Sequence, residues 1–361
     1  MAPQGWRWHL PLGRPAFGAR FSAGLKPLGP AGQRKSQQVA TGYEAGMDGF
    51  LPIDRAGRRT LKTAIGCVGI GLHSGRRVTL TLRPAAGGTG IMFRRTDLGI
   101  DIPARFDRVA DTRLCTALVA ADAPQARIGT VEHVMAALAG TGITDAIVEL
   151  DGPEVPILDG SAAPFVFLID CAGTTALPGA APVVEVLRTV RVQDGEAFAE
   201  LHPARQPGFD ATLTIDFPAT AIGRQQLALR VTPAAFRAAL ADARTFTLAE
   251  EIARLRAAGL AQGGSLDNAV VVDGPLVLNP GGLRRPDEFV RHKLLDAVGD
   301  LALAGGALSA RFVGHRSGHA LNNRLLRALF ADHGAWSLAG GEVAADGASS
   351  RLPAAAAPAM A

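Results

Sequence analysis

Histidines and carboxylates at helical spacing are the first chemistry this sequence offers. In His292-Lys-Leu-Leu-Asp296-Ala-Val-Gly-Asp300, positions 292, 296 and 300 fall on one face of a helix with 3.6 residues per turn. A neutral imidazole and a carboxylate one turn apart can mount a borderline metal such as zinc. The plain alternative is an exposed His–Asp pair worth about a few tenths of a kcal/mol. A second segment, Thr130-Val-Glu132-His133, sets a carboxylate beside another histidine on an otherwise apolar helix. Charges in such a setting cost energy unless they are paired or bind a metal. The adjacency suits a site where one group ligates and the other handles protons. A catalytic zinc takes three protein ligands and leaves the fourth position open, and His133, His292 and Asp296 make up that count. The same set of two histidines and a carboxylate also suits Fe2+.

A third cluster is His315-Arg-Ser-Gly-His319-Ala-Leu-Asn-Asn. Its Ser-Gly reads as a tight loop entering a helix, a place from which His319 can face a cleft, while His315 reads as an exposed loop residue. His73, in Gly69-Ile-Gly71-Leu-His73, is open to two readings, a cleft residue or part of a simple turn. These glycines lack the strand–loop–helix context of a dinucleotide fingerprint.

The elements that must position these side chains are legible in outline. Arg77 to Leu82 alternates as a half-buried strand, residues 130–140 form a helix ended by glycine, and 146–150 form the next strand. Ser161 is placed to cap a helix through Phe165 to Ile169. LPGAAP at 177–182 is a Pro/Gly-rich break and the expected domain boundary. Strands follow over 183–192 and 209–217. Thr232-Pro233 starts a helix, and Thr247 with Glu250 forms a capping box for another that stops at Gly259. A long helix is expected over 287–304 and a last one from His319 to about Phe330. His133 and His292 are each followed seven residues later by a glycine, a faint echo that two copies of one α+β unit would leave.

Bulk properties narrow the function classes. Hydrophobic residues make up 48% of 361 and charged residues 19%, enough for a large core and incompatible with general disorder. No apolar run reaches the roughly 20 residues that span a bilayer, so no stable membrane insertion is expected. Cys67, Cys115 and Cys171 form no CxxC pair, which argues against a disulfide framework and fits a reducing, cytoplasmic setting. The net charge of +4 is concentrated in residues 1–46, where six basic side chains face the single acid Glu44. The rest is near neutral and lacks the broad basic face that nucleic acid requires.

Taken together, these segments resemble the UDP-3-O-acyl-N-acetylglucosamine deacetylase family. The matches are VGIGLHSGRRVTLTLRPA at 68–85, FRRTDL at 93–98, TVEHVMAALAGTGITDAIVEL at 130–150 and PILDGSAAPFV at 156–166. They continue with ARTF at 243–246, GGSLDNAVVVD at 263–273, DEFVRHKLLDAVGDL at 287–301 and SGHALNN at 317–323. The resemblance implies an α+β fold of two similar two-layer α/β sandwich domains, packed face to face with the active site at their interface. On that basis residues 1–57 are a disordered or mis-annotated basic extension, and 58–179 and 180–339 are the two domains. An acyl-passage insert is expected around 245–275, and 340–361 would be a loose tail. The resemblance also implies Zn2+ held by His133, His292 and Asp296. Glu132 would be the general base, and His319, held by Asp300, the charged acid. Thr245 would donate to the oxyanion. Lys293, Phe246, Leu72, His73 and Ile252 would meet a UDP-linked acylated amino sugar, in a chain expected to be a monomer.

Overall fold

The computed structural model describes residues 57–219 and 221–341. The basic extension and most of the tail expected from sequence lie outside the described residues.

Six helices are described: α1 (Glu132–Thr141), α2 (Ala163–Ala172), α3 (Pro233–Ala239), α4 (Ala249–Ala257), α5 (Glu288–Ala302) and α6 (His319–Ala331). In the first half of the chain they accompany a five-stranded sheet, at whose centre strand Ala146–Leu150 pairs antiparallel with Arg77–Pro84 and parallel with Ile91–Arg95. The edge strands Ile65–Ile70 and Ile100–Pro103 complete it. In the second half, strand Ala307–His315 takes the central place, antiparallel to Ala197–Pro203 and parallel to Phe209–Asp216. Val190–Asp194 and Arg224–Val231 flank it, and Val183–Val186 and Trp336–Ala339 extend the same sheet. The five strands of the first sheet thus recur in the same order and directions in the second. Each central strand is entered from the helix that carries a histidine of interest, α1 or α5. The short echo in the sequence is therefore the trace of a repeated α+β topology.

Alternation explains the sheets. Val78, Leu80 and Leu82 point inward from Arg77–Pro84 and are fully buried, while Arg77, Thr79 and Arg83 face out. The helices meet in the middle, α1 against α5, and one continuous apolar cluster runs from Leu80 and Phe93 through Val134 and Leu138 to Leu294, Leu301 and Phe312. Burying such side chains contributes about 1.5–3 kcal/mol each. Gly299 lets the two helices touch: a Cβ there would lie 2.0 Å from the Glu132 carbonyl oxygen.

Several local expectations need correction. The first helix runs past Gly140 and stops at Gly142, whose φ of 79° is the left-handed conformation glycine adopts at helix ends. Most of LPGAAP is strand and not loop: residues 174–180 pair with Gly57–Leu61, and only 181–182 separate them from Val183–Val186 of the second sheet. The strand expected over 183–192 is two, Val183–Val186 and Val190–Asp194. Thr247 caps nothing. It lies in strand Phe246–Leu248, which pairs with Val270–Asp273, and α4 begins at Ala249 without a side-chain cap. Thr232 does cap α3, accepting from Ala235 N–H at 3.2 Å. The helices around 287–304 and from 319 onward form within two residues of expectation. His315 is the last residue of a strand and stacks on Phe198, not a free loop residue.

Candidate active site

His133 enters the site from the first turn of α1, and His292 and Asp296 from successive turns of α5. All three are at least 97% buried. Their free donor atoms converge: Asp296 Oδ1 lies 3.5 Å from His133 Nε2 and 3.3 Å from His292 Nε2, and one ligand atom from each residue falls within 4.8 Å of the others. The rings stand edge to face, 5.0 Å apart. His292 Nδ1 is bound to the Ala243 carbonyl at 3.1 Å, which fixes the ring so that Nε2 presents a lone pair. The other Asp296 oxygen accepts from Lys293 Nζ at 2.8 Å.

Asp296 Oδ1 is buried with no hydrogen-bond donor of its own, a costly state for a carboxylate unless something else satisfies it. Two imidazole nitrogens and one carboxylate oxygen fit a divalent cation. Their separations of 3.3 and 3.5 Å approach the edge of about 3.3 Å expected of a tetrahedron with bonds near 2.05 Å. Burial lowers the His292 pKa to about 4, although the Asp296 charge opposes this, so the ring is neutral and able to ligate near pH 7. Burial opposes the Asp296 charge too, but His292 and Lys293 outweigh it and hold that carboxyl well below the usual range.

Beside this group stand two further titratable side chains. Glu132 is fully buried, and burial raises its pKa despite the opposing fields of His319 and His133. His319, the first residue of α6, faces Glu132 Oε1 from 4.0 Å through Nε2 and is bound to Asp300 Oδ2 at 2.9 Å through Nδ1. Burial opposes its charge, but Asp300 and Glu132 prevail and raise its pKa to about 9. A base poised upward and an imidazolium held charged, on opposite sides of one space, can take and give protons in turn.

That space is a cleft of about 270 Å³ bordered by Glu132, His133, His292, Asp296, Lys293 and His319. Thr245, Phe246, Leu72 and His73 also border it; Ile252 is half-buried on α4 and does not. Thr245 is seated by main-chain bonds to Gly160 and Val270 and by its neighbour Arg244, which forms a buried ion pair with Glu288 at 2.8 Å. A second hollow beyond His319 is bordered by Asp194, Ala197, Arg316 and Gly318.

Sequence reasoning missed the residues that hold the chemistry in place. Glu154 is buried and accepts from His73 N–H, Ser74 N–H and the Thr130 hydroxyl at 2.8–3.0 Å, pinning the 71–75 loop to the entry of α1. Thr130 has a φ of 57°, a strained conformation for a branched residue that this pin sustains. Asn322 donates to Asp300 at 2.8 Å, and Thr116 donates both to Asp300 and to Glu132. Asn322 was within reach of sequence reading, as a polar residue one turn into a helix beside His319. Thr116 and Glu154 were not, because nothing local marks a loop residue as buried.

Comparison with known proteins identifies the family. A family model described as UDP-3-O-acyl N-acetylglycosamine deacetylase matches residues 58–331. The UDP-3-O-acyl-N-acetylglucosamine deacetylase of Shewanella frigidimarina is 47% identical over 291 residues, covering 80% of this chain and 94% of its own. Its namesake from Shewanella halifaxensis is 47% identical over 293 residues, with the same coverage. With its fold, its buried histidine–aspartate group and these matches, the chain belongs to the UDP-3-O-acyl N-acetylglycosamine deacetylase family.

Proposed function

We propose that this chain hydrolyses the N-acetyl group of UDP-3-O-acyl-N-acetylglucosamine in a zinc-dependent reaction, giving UDP-3-O-acyl-glucosamine and acetate, the committed step of lipid A synthesis. The observation that carries the reading is the convergence of His133, His292 and Asp296 on one point, with Glu132 and His319 facing each other beside it. These three residues would hold the ion. When bound, it supplies a Lewis acid for the amide carbonyl and makes water more acidic.

The chain's own residues divide the remaining work. Glu132 takes the proton of the attacking water, and its raised pKa brings it nearer the strength a base needs at neutral pH. His319, kept charged by Asp300, stabilises the developing oxyanion and then gives its proton to the leaving amine. The Thr245 hydroxyl donates to the same oxygen, a contact worth about 3 kcal/mol when such donors are removed elsewhere. Lys293, bound to Asp296, reaches the substrate edge of the cleft. Phe246, Leu72 and His73 at the border of the cleft, and Ile252 on α4 beyond it, would meet the acylated sugar. The protein is expected to act as a cytoplasmic monomer built from a 58–179 and a 180–339 unit. Among the described residues no helix is long and apolar enough to cross a membrane.

The test is deacetylation of UDP-3-O-acyl-N-acetylglucosamine by the purified chain, before and after chelation and with Zn2+ or Fe2+ restored. Activity lost to the chelator and regained with zinc is expected. A folded, metal-loaded protein without activity on this substrate would turn the reading toward another amide.

A further inference from the structure

The hydrogen bonds behind Glu132 and His319 close into a ring through a residue that belongs to none of the motifs above. Thr116 ends the 112–116 loop and is 2% exposed. Its backbone N–H donates to Glu132 Oε2 at 3.0 Å, and its hydroxyl donates to Asp300 Oδ1 at 2.6 Å. Asp300 accepts in addition from His319 Nδ1 and Asn322 Nδ2, and His319 Nε2 looks back at Glu132 Oε1 from 4.0 Å. The Thr116 carbonyl accepts from Val131 N–H at 3.2 Å, so its backbone is fixed to the entry of the helix that carries Glu132.

We propose that Thr116 is a positioning residue for the deacetylation, one that refers the place of the proton donor His319 to that of the proton acceptor Glu132. The proposal rests on the roles given to those two residues above. Ionised Asp300 can only accept, so the single hydroxyl proton of Thr116 is committed to it. Burial confines the Thr116 side chain, and two backbone bonds hold its main chain in place. Without the hydroxyl, Asp300 Oδ1 keeps only the longer 3.2 Å contact to His319 Nδ1. The carboxylate can then turn, and the imidazolium that follows it leaves the line toward Glu132. Removing a hydrogen bond to a charged group is expected to cost about 10–100-fold in rate.

The experiment compares Thr116→Val, Thr116→Ala and Thr116→Ser in the full-length, metal-loaded protein, in the native and His319→Asn backgrounds. Rates on UDP-3-O-acyl-N-acetylglucosamine, metal content and the downfield imidazole N–H proton resonance of His319 are read together. Val and Ala keep the backbone donor to Glu132; Val exchanges the hydroxyl for a methyl at nearly the same volume, and Ala removes both groups on Cβ. They are expected to lower kcat about 10–100-fold with KM and metal content unchanged, and to shift or broaden the His319 resonance. Ser is expected to restore both. In the His319→Asn background the Val and Ala changes should cost less than about twofold, because the residue they act through is gone. Native rates and an unmoved resonance in Val and Ala would overturn the proposal, as would an equal loss of rate in both backgrounds. Should the unsubstituted chain fail to deacetylate, the functional reading falls, while the resonance still decides whether Thr116 holds His319.

Discussion

Glu132 and His319 differ in how their surroundings prepare them, and each difference predicts a measurement. Glu132 ligates nothing in the proposed arrangement, so Glu132→Gln should keep its metal and lose about 10²–10⁴-fold in turnover, checked by metal analysis beside initial rates. His319 has to be charged to donate. With its pKa raised to about 9, it carries its proton throughout the neutral range and gives it up only as pH climbs through that value. The profile of kcat/KM against pH should therefore fall on the alkaline side near 9, and His319→Asn should abolish that fall along with most of the rate. At this scale the sequence was highly legible. The i, i+4 spacing of His292 and Asp296 also suits a plain surface pair, and it gained weight only beside the Glu132-His133 doublet, because polar residues on an apolar helix need a reason. The partners that orient them left no such mark. Thr116 lies 184 residues from the aspartate it binds, and no local pattern encodes such a separation.

Between elements, the crossing of α1 and α5 decides whether the ligands meet. A Cβ at Gly299 would fall on main-chain atoms of Glu132, where no side-chain rotation can relieve it. Gly299→Ala should force the helices apart, destabilise the fold by about 1–3 kcal/mol in urea unfolding, and reduce both metal content and rate. Rescue by simple repacking is not expected, since the obstacle is backbone. Helix ends near the site were read well where a cap is local, as with Thr232 and α3. They were misread at Thr247, where a Thr-x-x-Glu spacing suited to a capping box lies in a strand instead. Pairing of Phe246–Leu248 with Val270–Asp273 claims those backbone groups before a cap can. Residues 177–180 of the Pro/Gly-rich stretch form strand for the same reason, their partner strand lying more than 110 residues upstream at Gly57–Leu61.

For the molecule as a whole, the matched family region begins at residue 58 and the first described strand at Gly57. A chain shortened to begin at Met47 should keep its specific activity and thermal midpoint, measured side by side with the full-length protein. Shortening beyond Gly57 is a different matter. It removes the strand that pairs with 174–180 and the Arg58–Asp145 ion pair, buried at both ends, and should lower the midpoint by several degrees. The repeated five-strand topology was only hinted at in sequence, by two histidine–glycine intervals, because the copies share pattern and not residues.

The seam between the 71–75 loop and the 260–264 segment has a bearing on inhibitor escape. Main-chain bonds join Gly263 to Leu72 and Gln262 to His73, and a Cβ at Gly263 would meet the Gly71 carbonyl oxygen at 2.3 Å. At Gly71 a Cβ would strike the Ser74 hydroxyl and the Glu154 carboxylate. A compound that rests against this seam would press on positions where any side chain meets atoms already in place, main chain among them at Gly263. Escape from such a compound would fall instead to side chains that border the cleft, such as Leu72 and Leu114.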